Sequence, residues 1–218
     1  MCISQFAYAQ YKNLFSLDNG NITVYQDFIG LDLSNRNPQI FPTYEYESYD
    51  ITSSNEQDRY TLKIGGAAKR QSSTGTYDNI KILYQGKTIL DVDGYDPLFT
   101  VKSLTMNKSD KNRFIHVPLS DTCFALFFGG WLYGMDNAPE MIVIIVNNGQ
   151  ARVVYDNYAY AFKYSQPPCF SLEFVDDISE LFEYDSPYKG TINDSFLNSR
   201  TKHKIWREGN MLKYKSWK

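Results

Sequence analysis

The chain has 218 residues, of which 43% are hydrophobic and 22% charged, and its formal net charge is −3. This composition is typical of globular proteins, and the length suffices to bury a core without metals or disulfides. The net charge argues against broad nucleic-acid binding, which needs a basic surface. No run approaches the roughly 18 apolar residues of a membrane-spanning helix. The 18 tyrosines, 14 phenylalanines and three tryptophans favour β-sheet, with an aromatic binding face for sugars or peptides as the alternative.

The first residues resemble the end of a secretory signal peptide. An apolar stretch ends at Phe6, and the small-x-small pattern from Ala7 to Ala9 matches a cleavage site before Gln10. We therefore interpret residues 1–9 as a truncated signal remnant and residues 10–218 as a single β-rich domain. An ordinary N-terminal strand is the alternative. The signal interpretation predicts export to the periplasm, the outer membrane or the medium.

Four β-hairpins are predicted along the chain. In each, two β-prone runs flank a short turn with a glycine, which supplies the positive φ of tight hairpin turns. The paired runs are Leu14–Leu17 with Ile22–Tyr25, Ile80–Tyr84 with Thr88–Val92, Met141–Val146 with Ala151–Tyr155, and Lys204–Trp206 with Met211–Tyr214. The near-regular spacing of the turn glycines suggests a repeated β unit, with coincidence among hairpins as the alternative.

These patterns predict an all-β fold of antiparallel, hairpin-rich sheets, either a sandwich or a small propeller-like repeat, with one or two short helices. Two runs, Phe124–Phe128 and Met141–Val146, are apolar on both faces and should be central strands with both sheet faces covered. Further strands are expected at Arg59–Ile64, Phe99–Leu104, Arg113–Val117 and Tyr158–Tyr164, the last with its aromatic side chains on one face. The short helices are expected at 176–182, capped by Asp176 or Asp177, and at Asn193–Asn198.

Three aspartates, Asp91, Asp93 and Asp96, form the nearest approach to a metal loop. Alternating carboxylates can point at one hard cation, so calcium is the candidate cofactor. The match is poor, because Gly94 comes early and three oxygens leave most of the coordination shell empty. The alternative is an acidic turn at the end of a strand, with no cofactor.

Cysteine and histidine are scarce. If the signal is removed, Cys123 and Cys169 remain as an even pair that an oxidising compartment would allow to form a disulfide. The alternative is two buried thiols, since Cys123 opens an apolar run. His116 is the only conceivable partner for a catalytic Cys123, and no established catalytic motif is present. A binding protein is therefore favoured over an enzyme.

Basic and aromatic residues mark the candidate binding sites. In the last hairpin, Leu212 and Tyr214 should be buried while Lys213 and Lys215 face solvent, where they could bind an anionic polysaccharide or lipid head group. The simpler explanation is that lysines on a terminal strand prevent edge-to-edge aggregation. Trp131 and Tyr133, in a glycine-rich stretch, are the other candidate ligand-binding residues.

The function expected from sequence is that of an exported, non-enzymatic protein with a binding or structural role in the cell envelope. Its partner would be a macromolecule or glycan, not nucleic acid. The alternatives are a glycan-acting hydrolase that uses a carboxylate pair, since 25 acidic residues are present, and an inhibitor or immunity-type protein.

Overall fold

A computed structural model describes residues 11–29, 44–53, 58–67, 76–77, 79–93, 99–100, 114–131, 139–178, 180 and 193–218. The signal-like residues before Gln10, together with Tyr133 and Asp96, lie outside this part of the chain. Within it, no helix is long and apolar enough to cross a membrane.

The described elements are almost all strands, and every ladder between them is antiparallel, which confirms the all-β prediction. They are β1 (Lys12–Asn13), β2 (Phe15–Asp18), β3 (Asn21–Val24), β4 (Tyr44–Thr52), β5 (Arg59–Ala67), β6 (Thr76–Tyr77), β7 (Asn79–Tyr84), β8 (Lys87–Asp93), β9 (Phe99–Thr100), β10 (Ile115–Pro118), β11 (Cys123–Trp131), β12 (Pro139–Asn147), β13 (Gln150–Tyr158), β14 (Tyr160–Ser165), β15 (Ser171–Val175), β16 (Lys202–Glu208) and β17 (Met211–Trp217). The helical elements are α1 (Asp194–Ser199) and a 3-10 turn at Gln26–Phe28.

Three sheets form the bulk of the structure. The central sheet has the strand order β10-β11-β12-β13, a second four-stranded sheet has the order β4-β5-β7-β8, and the five-stranded sheet has the order β1-β17-β16-β15-β14. Two small pairs, β2-β3 and β6-β9, complete the described strands. The four predicted hairpins are present, each in a different sheet, and these sheets have two, four, four and five strands.

The central sheet is buried on both faces, as its apolar runs predict. Along β11 and β12 the side chains alternate between two cores. In the first core, Ala125, Phe127 and Ile145 pack with residues of the five-stranded sheet and of the β2-β3 hairpin. In the second core, Phe124, Leu126 and Ile144 pack with residues of the β4-β5-β7-β8 sheet. The molecule therefore has three layers, with the central sheet between two others.

The turns of three hairpins meet at one end of the central sheet. Asn147 donates a hydrogen bond from Nδ2 to the carbonyl oxygen of Gly20 at 2.8 Å. In the β12-β13 turn, Asn148 and Gly149 both have positive φ, and the Gly149 amide donates to the Tyr60 hydroxyl at 3.1 Å. The ring of Tyr84 lies against Gly149, where an added Cβ would stand 2.8 Å from a ring carbon. Local turn chemistry and long-range packing thus both require glycine at this position.

We expect Gly149→Ala to lower the free energy of unfolding by about 1–3 kcal/mol, because it combines backbone strain at φ +73 with a clash. Tyr84 cannot easily move aside, since its ring stacks on Tyr60 at 4.8 Å and its hydroxyl donates to Asp58 at 3.0 Å. Gly86→Ala is the matched control, because Gly86 has a similar φ of +77 and an added Cβ there would have nothing within 4 Å. Equal losses for the two variants in chemical denaturation would contradict the role of the Tyr84 contact.

Two local predictions are met only in part. The chain at Asp176–Ile178 is not helical, although Glu180 lies in a 3-10 turn and the rest of that predicted helix is outside the described residues. The other predicted helix forms as α1, with the Asn193 side chain accepting from the Phe196 amide. In β14, a register shift between Ala161 and Lys163 divides the aromatic stripe, so that Tyr160 and Tyr164 pack in different clusters.

Candidate functional site

The outer face of the five-stranded sheet, opposite the first core, gathers basic and aromatic side chains from three strands, β14, β16 and β17, and from Tyr11, next to β1. Antiparallel register decides which of them become neighbours. One row across the sheet is Lys163, Glu173, Lys204 and Lys215, and the next is Ser165, Ser171, Trp206, Lys213 and Asn13. With Tyr11 and Trp217, these two rows define the basic face.

Alternation along β16 and β17 creates this face. Leu212 and Ile205 are fully buried in the first core, and Tyr214 packs against it, so the intervening residues point outward. The predicted burial of Leu212 is thus confirmed, and Tyr214 is half-buried against the same core. Lys213 and Lys215 lie on the opposite face as predicted, but they are half-buried, because their stems lie along neighbouring rings and strands.

Rings and ammonium groups alternate along the basic face. The Nζ atom of Lys215 lies 5.2 Å from the ring centre of Trp217 and 6.0 Å from that of Trp206. Trp206 meets the ring of Tyr11 edge to face at 5.8 Å, and Lys213 lies over Tyr11 at 5.2 Å. These distances are in the range of cation–π contacts. The result is a continuous track: Trp217, Lys215, Trp206, Tyr11 and Lys213.

The carboxylates near the track neutralise some lysines but not all. Glu173 forms ion pairs with Lys204 at 3.1 Å and with Lys163 at 3.5 Å. Lys213 donates to Asn13 at 2.8 Å and lies 3.7 Å from Glu208. Within the described part of the chain, Lys215 has no ion pair. It stands directly opposite Lys204 in the β16-β17 ladder, an unfavourable pairing of like charges.

Edge protection does not explain Lys213. Strand β17 is the last in the chain but is internal in its sheet, between β16 and β1. Lys12 and Asn13 pair with Tyr214 and Lys213, and the Leu14 amide donates to the Leu212 carbonyl at 2.9 Å. A strand that is already paired on both sides needs no charge to prevent edge-to-edge aggregation. The simpler sequence explanation is therefore wrong for Lys213, whereas Lys215 lies beyond the last pair of the β1-β17 ladder.

One end of the outer face is covered by α1. Phe196 of this helix packs with Val175 and Ile178 in a third apolar cluster, and Lys202 donates to Asn198 at 3.1 Å. Arg200 follows the helix and binds Asp177 at 3.0 Å and Glu180 at 2.5 Å. Asp177 and Glu180 are thus paired locally, which leaves the track beyond the helix basic.

A hydrogen-bonded chain of Asp176, His203 and Tyr214 lies on the inner side of the same sheet. His203 is buried and meets the Tyr214 hydroxyl at 2.5 Å through Nδ1 and Asp176 at 2.9 Å through Nε2. Burial, with the nearby Asp176 charge, raises the pKa of Tyr214 to about 12, so this phenol is a poor general base. These three hydrogen-bonded residues stabilise the sheet beneath the basic face, and their arrangement does not suggest catalysis.

We expect acid to weaken the hydrogen-bonded chain of Asp176, His203 and Tyr214. Burial by itself raises the pKa of Asp176, but the hydrogen bond and charge of His203 outweigh it and hold the pKa below its ordinary value. A lowered folded-state pKa means that Asp176 stabilises the protein above the unfolded-state pKa, about 3.9, and loses that effect as pH falls through the folded-state pKa.

We expect Asp176→Asn to cost about 1 kcal/mol at neutral pH and to flatten the loss of stability below about pH 4. Asp177→Asn is the control, and equally steep acid profiles for Asp176→Asn and the parent protein would contradict the assignment.

The cysteines are free thiols, so the candidate disulfide between Cys123 and Cys169 is not formed in this structure. Cys123 is buried and Cys169 is exposed. Burial raises the pKa of Cys123 to about 12 and lowers that of His116. A thiol that stays protonated is a poor nucleophile, so this pair is unsuited to catalysis.

The predicted metal residues are only partly described. Asp91 binds Lys81 at 3.0 Å and accepts from Asn79 at 2.6 Å, so a cation would have to displace Lys81. The backbone of Asp93 pairs with Asn79, and Asp96 lies outside the described residues. In the part of the chain that the structure describes, no three His, Cys, Asp or Glu residues are grouped as for a metal ion.

The structure brings two of the four predicted ligand-binding residues together. Lys213 and Lys215 lie on the basic face, whereas Trp131 ends β11 in the central sheet and Tyr133 is outside the described residues. Trp217, Lys204 and Tyr11 were not anticipated. The alternation of Lys204 and Trp206 with the buried His203 and Ile205 in β16 was the available signal, because it mirrors that of β17.

Comparison with models of protein families, with curated proteins and with solved structures gives no match for this chain.

Proposed function

We propose that this chain is an exported, non-enzymatic binding protein of the cell envelope that holds an anionic macromolecule on its basic face. The observation that carries the proposal is the placing of Lys204, Lys213 and Lys215 beside Trp206 and Trp217 on one sheet face of a chain whose net charge is −3. Such a concentration of one charge sign attracts an oppositely charged partner.

Folding alone gives little reason for this arrangement. Like charges directly opposite each other in an antiparallel ladder are destabilising, and Lys204 faces Lys215 in this way. An exposed cation–π contact offsets only about 0.5–1 kcal/mol of such a cost. A bound carboxylate, sulfate or phosphate would relieve the repulsion through charge-assisted hydrogen bonds.

Two parts of the proposal, export and the lack of enzymatic activity, rest on the sequence alone. The signal-like start and the hairpin-rich β composition support export, and the absence of a recognised catalytic motif supports binding. The alternatives are a glycan-acting hydrolase and an inhibitor or immunity-type protein. No geometry among the described residues favours either over binding.

The test uses polyacrylate, a polyanion without sugar rings, immobilised and challenged with the full chain at low and at physiological salt. We expect salt-sensitive retention and at least a tenfold loss of affinity for the Lys213→Glu and Lys215→Glu double variant. The matched control is Lys87→Glu with Arg152→Glu, which changes the net charge equally at exposed positions in β8 and β13. No retention of the parent chain, or equal losses for both double variants, would overturn the proposal.

Enzymatic action and export are tested separately. Incubation with glycan polymers should leave their chain length unchanged, whereas shortening would favour the hydrolase. A tagged full-length protein should be found outside the cytoplasm after cell fractionation. Retention in the cytoplasm would contradict export while leaving the binding test unaffected.

A further inference from the structure

We infer that the ligand of the basic face is an anionic polysaccharide, whose sugar rings lie on Trp206 and Trp217 and whose acidic groups meet Lys213 and Lys215. This inference rests on the proposed function and names the ligand class of the same site. Three properties of the track lead to it: the alternation of its rings and charges, the partial burial of its tryptophans, and its small number of lysines.

The alternation matches the chemistry of an acidic sugar polymer. A pyranose presents C–H groups on a ring face and hydroxyl or acidic groups at its rim, so one sugar offers both an apolar surface and a charge. The track offers the complement: Lys215 lies between Trp217 and Trp206, and Lys213 lies over Tyr11, which touches Trp206. Adjacent strands are about 4.8 Å apart and alternate residues of a strand about 6.7 Å apart, so successive groups of a linear polymer can contact successive side chains.

The partial burial of the tryptophan rings argues against a membrane surface as the ligand. Binding in the lipid interface requires apolar side chains that project and become buried among the acyl chains. Trp206 and Trp217 are half-buried, and the large exposed hydrophobic residues of the described chain are Tyr11, Leu17 and Tyr25. Of these, Tyr11 alone belongs to the basic face, so the apolar area available for insertion is small.

The limited charge argues against nucleic acid. A strand of nucleic acid carries a charge at every phosphate and calls for a broad basic footprint. Here Glu173 pairs with both Lys204 and Lys163 and offsets one of their two positive charges. Lys213 and Lys215 are the lysines of the track itself. Two lysines between aromatic rings suit a polymer whose charges are more widely spaced.

The experiment measures by calorimetry, at equal salt, how tightly the full chain binds polygalacturonate. The other probes are polyacrylate, uncharged dextran, single-stranded DNA and vesicles containing anionic phosphatidylglycerol. Polygalacturonate and polyacrylate both carry carboxylates, but only the first has sugar rings. We expect polygalacturonate to bind at least tenfold more tightly than each of the other probes. Binding should also change the tryptophan fluorescence, because Trp206 and Trp217 are then covered.

Two variants separate the contributions of charge and ring. Lys215→Gln should weaken polygalacturonate binding at least tenfold and leave the melting temperature equal or higher, since it removes the repulsion with Lys204. Trp206→Leu should abolish the preference over polyacrylate while retaining binding to both polymers. Lys87→Gln, at an exposed position in β8 outside the basic face, is the control and should change affinity less than threefold.

The outcomes are distinguishable. Failure to bind any polyanion would overturn the proposed function together with this inference. Equal binding of polygalacturonate and polyacrylate, tighter binding of DNA or vesicles, or a preference that survives Trp206→Leu would overturn the polysaccharide assignment and leave the proposed function standing. If Trp206→Leu does not fold, Trp217→Leu applies the same test at the other end of the track.

Discussion

Ile144→Ala and Ile145→Ala should each lower the free energy of unfolding by about 2–5 kcal/mol, the range for truncating a fully buried isoleucine. The two residues are neighbours in β12, and both are fully buried. Ile144 packs in the second core and Ile145 in the first, on opposite faces of the central sheet. In a two-layer sandwich one of two successive side chains would face solvent, so equal costs are a signature of the third layer.

Chemical denaturation of the purified full chain measures both losses. Leu17→Ala provides the control, because it removes the same kind of apolar side chain from an exposed position in β2. Its cost should stay near 0.5 kcal/mol, as for surface substitutions. A small loss for either isoleucine variant would mean that the corresponding face of the central sheet is not packed as described.

Truncation after Arg207 should produce a chain that aggregates. It removes β17, which lies between β1 and β16 and carries the fully buried Leu212. Loss of Leu212 alone exposes the first core at a cost of about 1.5–3 kcal/mol. The truncation also leaves β16 with an unpaired edge, which is a template for association with other chains.

Solubility after expression and light scattering at increasing concentration provide the measurement. A chain that ends at Trp217 is the control, since it lacks only the exposed Lys218 and should remain soluble. Leu212→Ala tests the packing without altering the chain length and should cost about 2–5 kcal/mol. A soluble and fully stable chain truncated after Arg207 would show that β17 is not an integral strand.

Local chemistry determined much of this structure. The Asn-Gly and Gln-Gly turns have positive φ at both central residues, and the Gly209-Asn210 turn has it at the glycine. These geometries match the twist of paired strands, so turn residues could be recognised without knowledge of the fold. Alternation likewise placed Lys213 and Lys215 on the face opposite Leu212. The apolar character of both faces of β11 and β12 indicated a covered central sheet.

Long-range pairing decided what local patterns left open. Strand β1, from the other end of the chain, pairs with β17 at Lys213 and Tyr214, so Lys213 lies inside the sheet and needs an explanation other than edge protection. The predicted capping acids Asp176 and Asp177 bind His203 and Arg200 instead, and the chain there is irregular. These partners are distant in sequence, so the helical pattern at 176–182 could not reveal them.

In the candidate site, too, local sequence determined some features and the tertiary structure decided others. Sequence alone determined that the last hairpin has a lysine face, because side-chain alternation is a property of one strand. Register across the sheet decided that Trp206 lies opposite Lys213, and Tyr11 joins the track through pairing of the two chain ends. A bulge at Phe162 divided an aromatic stripe that looked continuous. Neighbours across strands are set by the tertiary fold, since hydrogen-bonded ladders join segments that no local pattern connects.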